Sequence, residues 1–175
     1  MNKKEQTSIS KSIREIPDFP KKGILFRDIT PLLSDGKKFR ACVKHFKKLS
    51  KSRIDYVISI ESRGFIFGSA LACELGVGFV PIRKAGKLPH KTFQASYELE
   101  YGSAVMEVHA DGFTRGSRVV IVDDVLATGG TARAAVELVR KLDAKIAGIY
   151  FLIELTALKG REKLKDLPVH ALVSY

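Results

Sequence analysis

The chain has 175 residues, 45% hydrophobic and 28% charged, which suits one globular domain with a sizeable core. Its 30 Lys and Arg against 19 Asp and Glu give a net charge of +11, spread as basic doublets that read as solvated surface with some capacity to draw polyanions. No apolar run approaches the ~20 residues of a membrane-crossing helix, and no hydrophobic stretch follows the first lysines as in a secretion signal, so a cytoplasmic protein is expected.

Residues 5–15 carry Ile9 and Ile13 at helical spacing and predict a short amphipathic helix, broken at Pro17 and Pro20. Residues 24–26 read as extended and 28–33 as a turn or loop. Phe39, Val43, Phe46 and Leu49 share one face of a helix over 37–49. A first core strand is predicted at 56–60, a helix at 65–75 that stops near Gly76, and a second strand at 78–82. Cys42 and Cys73 fall in apolar helical contexts, form no C-x-x-C pair, and read as reduced, buried thiols. A long polar segment covers 83–94. Residues 97–101 and 103–109 read as hairpin pieces, with Glu107 and His109 on the polar side of the alternation. A third core strand at 118–122, a helix at 131–142, a fourth strand at 146–153 and a last at 169–173 complete the chain.

Apolar strands alternating with helices predict an α/β fold, a parallel twisted sheet flanked by helices in a single domain over 1–175. Residues 1–33 and 155–165 fall outside the alternation. They are expected to pack over the carboxyl edge of the sheet, the first of them as a small hood.

The most informative run is Val119-Val120-Ile121-Val122-Asp123-Asp124, followed by Val125-Leu126-Ala127-Thr128-Gly129-Gly130-Thr131. A β-branched strand leads to two acids at its carboxyl end, where open α/β sheets place their ligands. The small residues Ala127, Thr128, Gly129, Gly130 and Thr131 let backbone N–H groups close around an anion at a helix start. Carboxylates for hydroxyls beside a cradle for phosphate fit a ribose 5-phosphate. The loop is not an ATPase P-loop, because Gly130 is followed by Thr131-Ala132 rather than Lys and Ser or Thr.

This run resembles the phosphoribosyl diphosphate (PRPP) motif of the type I phosphoribosyltransferases, in which the acids hold the ribose hydroxyls and the loop holds the 5-phosphate. Glu61-Ser62-Arg63-Gly64-Phe65 repeats the strand–turn–helix logic. An Arg63 guanidinium there suits phosphate oxygens bidentately, or pairs with Glu61 as a structural bridge. The segment resembles the family's pyrophosphate loop, which implies a cis peptide at Glu61–Ser62. Arg83, Lys84 and Lys87 follow the second strand and can receive a departing pyrophosphate. With Phe26-Arg27-Asp28-Ile29, the stretch from Ala95 to Gly102 and Glu154-Leu155-Thr156, the motifs together resemble the adenine phosphoribosyltransferase family over nearly the whole chain. Ala85 departs from relatives that carry Arg there, leaving Lys84 and Lys87 with more of the loop's charge.

The resemblance implies a fold with a flexible lid and a transfer of phosphoribosyl from PRPP to adenine, giving AMP and pyrophosphate. Asp123 and Asp124 would take the diol, and Ser62, Arg63, Arg83, Lys84 and Lys87 the pyrophosphate. Phe26 and Leu155 would sandwich adenine while backbone groups of Leu25 and Arg27 read its edge. Tyr97, Glu100 and Tyr101 would form the lid, with Glu100 as general acid/base. Mg²⁺ would be held mainly by PRPP, with no direct protein ligand expected. A homodimer is implied, binding neither nucleic acid nor membrane. A PRPP-binding regulator and a phosphoribosyltransferase for another purine remain the competing readings.

Overall fold

The computed structural model describes residues 3–98 and 103–175. Its strands assemble by the pairing that their apolar runs demand. β3 (Tyr56–Ile60), β4 (Gly78–Lys84), β7 (Arg118–Leu126), β8 (Lys145–Glu154) and β9 (Val169–Ser174) form a parallel core in the order β4-β3-β7-β8-β9. The sheet is not wholly parallel. An antiparallel hairpin, β5 (Thr92–Glu98) and β6 (Ser103–His109), adds to the β4 edge and makes seven mixed strands.

The two faces bury different halves of each strand, because successive side chains point to opposite sides. From β7, Val119 and Ile121 pack toward α5 (Gly130–Lys141), and Val120 and Val122 toward the opposite layer. That layer holds α1 (Lys3–Ser10), α3 (Gly36–Leu49) and α4 (Gly64–Leu75), with Ile9, Phe46, Phe67 and Leu71 in the core. α3 begins on Asp35, whose carboxylate accepts from the N–H groups of Lys37 and Lys38, and α4 ends on Gly76 at φ +69°. Among the described residues no helix is long and apolar enough to cross a membrane.

Several boundaries differ from the periodicity. α1 stops at Ser10, and the next residues form β1 (Arg14–Ile16), paired with β2 (Phe26–Asp28) in a small separate sheet. The segment read as a loop at 28–33 contains α2 (Thr30–Ser34), with Pro31 in its first turn where a missing N–H costs nothing. Residues 155–165 fold into two 3₁₀ turns, Thr156–Leu158 and Gly160–Leu164. The polar segment at 83–94 is shorter than expected, since β4 runs to Lys84 and β5 starts at Thr92. Cys42 is buried, which pushes its thiol up to about 12, but Cys73 is exposed on α4 rather than buried.

Candidate active site

β7 outlasts its neighbour β3, whose pairing ends at Ser59 opposite Val122. The strand continues against β8 through Val125↔Ile153 and Leu126↔Glu154. The two acids therefore lie inside the strand, not after it, at the point where one flank becomes open. Val125 packs toward the α4 layer and Leu126 toward α5, so the alternation of 119–122 slips at the acids. Both carboxylates line one cleft of about 470 Å³ with Glu61, Ser62, Arg63, Lys84, Tyr97 and Thr131. Wider hollows beside α1 and at the start of α3 have no paired acids.

The acids are strained electrostatically. Asp124 is 5% exposed and Asp123 half-buried, with Asp123 Oδ1 accepting from the Asp124 N–H at 2.8 Å. Burial raises both carboxyls above the ordinary range. At Asp123 the neighbouring Asp124 charge adds to the rise, whereas at Asp124 the Arg63 guanidinium opposes it. Arg63 Nε lies 2.5 Å from Asp124 Oδ2, an ion pair not aligned as a hydrogen bond. The same guanidinium carbon sits 5.3 Å from the centre of the Phe26 ring. Arg63 thus pairs with Asp124, not with Glu61. The start of α4 is pressed against the acids, since a Cβ on Gly64 would lie 2.7 Å from Asp123 Oδ1.

Beyond the acids, a smaller hollow of about 70 Å³ is lined by residues 125–132 with Asp123. α5 starts from Gly129 in the left-handed region, φ +78°, with no side chain capping it, so its first N–H groups face the hollow's anion-favouring end. This loop is buttressed by Gly160: a Cβ there would lie 2.1 Å from Ala127 O. Arg161 then ties the segment to the sheet, donating from Nε and Nη2 to Glu154 at 2.9 and 2.6 Å and from Nη1 to Val169 O at 2.7 Å.

Glu61 meets the cations of the β4 loop. Its carboxylate accepts from Arg83 Nε at 3.0 Å, from the Lys84 N–H at 3.3 Å, and from Lys87 Nζ. Burial would raise this carboxyl, but the bonds from Lys87 and Arg83 outweigh it and hold it below the usual range. The Glu61–Ser62 peptide is cis, as is Phe19–Pro20.

Phe26 and Arg27 lie on β2, Leu25 just before it and exposed. Arg27 pairs with Glu15 and stacks over the Tyr175 ring at 3.7 Å. Tyr175 O in turn accepts from the N–H and hydroxyl of Thr156 at 2.8 and 2.6 Å, beside Leu155. Tyr175 therefore links the two segments expected to flank a base, a role no local pattern signalled. Tyr97 lines the cleft, while Glu100 and Tyr101 lie outside the described residues.

Paired acids beside an uncapped helix start stand at one open edge of the sheet. The family described as Phosphoribosyl transferase domain matches residues 32–170. The likeness is closer over the full length. The adenine phosphoribosyltransferase of Carboxydothermus hydrogenoformans is 54% identical over 168 residues, 95% of this chain and 99% of that one. The crystal structure of the Thermoanaerobacter pseudethanolicus adenine phosphoribosyltransferase matches at TM-score 0.94 and 50% identity, covering 97% of this chain and 99% of the other. That of Saccharomyces cerevisiae, complexed with D-DIAB and adenine, matches at TM-score 0.93 and 45% identity, covering 97% and 98%. The chain belongs to the adenine phosphoribosyltransferase family.

Proposed function

We propose that this transferase joins adenine N9 to the anomeric carbon of PRPP, releasing pyrophosphate and AMP, as a step of purine salvage. The observation that carries the reading is the meeting of Asp123 and Asp124 with Arg63, Lys84 and the phosphate loop around one cleft. The transition state gathers positive charge on the sugar and negative charge on the leaving group, so fixed charges of both signs lower its energy. Asp123 and Asp124 hold the ribose diol and face the developing cation. Residues 127–131 hold the 5-phosphate through backbone N–H groups, with the Thr128 and Thr131 hydroxyls. Ser62, Arg63, Arg83, Lys84 and Lys87 receive the pyrophosphate.

Phe26 and Leu155 sandwich adenine while the backbone of Leu25 and Arg27 reads its edge; adenine bound in the yeast relative supports this choice of base. Residues 1–33 form the hood over this slot. Tyr97, Glu100 and Tyr101 close the lid against water, with Glu100 as general acid/base. Mg²⁺ fits a site of this kind. Asp124 Oδ2 is buried with no aligned donor. Asp123 and Asp124 would face an ion held mainly by PRPP, which would offset charge on the leaving diphosphate. The reading includes a homodimer, and the free thiols of Cys42 and Cys73 support a reducing cytoplasm.

A base panel tests the reading. With PRPP and Mg²⁺, adenine alone among adenine, hypoxanthine, guanine and xanthine is expected to yield nucleotide and pyrophosphate. Turnover of another base in preference to adenine overturns it.

A further inference from the structure

Glu107 is a buried carboxylate that the reaction does not use. It is 3% exposed on β6, in register with Arg83 of β4 and Gln94 of β5, where three strands meet. Its Oε1 accepts from the N–H groups of Lys87 and Leu88, both at 2.9 Å. Its Oε2 takes longer bonds from Thr92 Oγ1 and Gln94 Nε2, both at 3.4 Å. These partners are all neutral. Burial raises the carboxyl, but the N–H groups of Leu88, Lys87 and Gly86 prevail and keep it below its ordinary range, hence ionised. A buried charge satisfied only by dipoles is costly to keep, and what it fixes here is one turn. That turn, through Gly86 at φ +84°, carries Lys87 back to Glu61.

We propose that Glu107 is a positioning residue for pyrophosphate recognition: it anchors the 86–88 turn so that Lys87 and Lys84 are presented to the diphosphate of PRPP. This rests on the pyrophosphate role assigned above to Lys84 and Lys87. Glu107 touches no reactant; it acts through the backbone of the loop. A turn held by an ionised acceptor loses less on binding than a free one, because its ordering is already achieved.

Steady-state kinetics on the full chain separate the possibilities. Lys87→Ala first tests the loop's role and is expected to raise the PRPP KM about 10-fold. Glu107→Gln keeps the shape but turns an NH₂ donor toward neighbouring donors. It is expected to raise the PRPP KM and the pyrophosphate inhibition constant together, about 10-fold, with kcat and the adenine KM within about 2-fold. Gly86→Ala loosens the same turn from outside, since its Cβ meets nothing within 4 Å and only the positive φ is strained. Combined with Glu107→Gln, it is expected to add less than the product of the two single effects. If Glu107→Gln does not fold, Glu107→Asp, which keeps the charge and withdraws the reach, carries the same measurement. A PRPP KM unmoved by the Glu107 variant, or both KM values moved equally, overturns the proposal while Lys87→Ala still supports the loop's role. A silent Lys87→Ala overturns that role and the proposal with it.

Discussion

The β7–α5 junction and the corner between β4 and β6 hold charge in opposite ways. At the junction, α5 begins uncapped and the buried Asp124 lies against an arginine that is not aligned as a hydrogen bond. At the corner, Glu61 already satisfies Arg83 and Lys87, and Glu107 already fixes their turn. On the roles proposed above, the junction would bind by filling unmet hydrogen-bonding capacity. The corner would bind by exchange, since an incoming diphosphate would compete with Glu61 for the same cations, with a smaller net gain. Under that proposal, tight ribose phosphate recognition next to a weaker grip on pyrophosphate would suit a site that must let pyrophosphate go.

The contrast breaks first if the junction can be disarmed without loss. Asp123→Asn with Asp124→Asn is expected to lower kcat/KM at least ~100-fold, or about 2.7 kcal/mol, well beyond any single change at the corner. Near-normal activity would remove the acids from the chemistry. A smaller effect is expected from Gly160→Ala, whose new methyl would collide with Ala127 O, a backbone atom that cannot swing aside. The PRPP KM should rise about 10-fold, and thermal unfolding should come about 5 °C earlier, as overpacking of 1–3 kcal/mol implies for a chain of this size. A PRPP KM that stays put would detach the phosphate loop from its buttress.

The smallest effect concerns stability and runs against activity. The Asp123 carboxyl is raised in the folded chain, so above the unfolded value of about 3.9 the native state holds the extra proton and stability falls as pH rises through the raised value. Asp123→Asn removes that slope. Its melting temperature should exceed the wild type by about 2–4 °C at pH 7 and by nothing near pH 4. A gain that is equal at both pH values would point to packing and not to charge.

Much of this was legible from local pattern. The strand at 56–60 has the predicted bounds, and acids, loop and helix start follow one another along 123–131 as read, although β7 runs on through the acids to Leu126 instead of ending before them. The first thirty residues read less well. Helical spacing at Ile9 and Ile13 ran past a break at Ser10, and Ile13 is buried in the turn that leads to β1. The pieces at 97–101 and 103–109 read as a hairpin, but β5 starts at Thr92 inside the segment read as polar, and alternation shows which side of a strand is polar but not what that side faces.

By itself, then, the sequence determined the layered α/β plan and the ribose phosphate motif, since periodicity and turn chemistry act over a few residues. Only the tertiary structure decided which charges meet. Placing β6 against β4, and β3 between β4 and β7, gives Arg63 to Asp124, Arg83 and Lys87 to Glu61, and the 86–88 turn to Glu107. It also sets Gly160 under the phosphate loop and Tyr175 between Arg27 and Thr156. Such pairings depend on strand order and register between distant segments, and no spacing along a single chain encodes them.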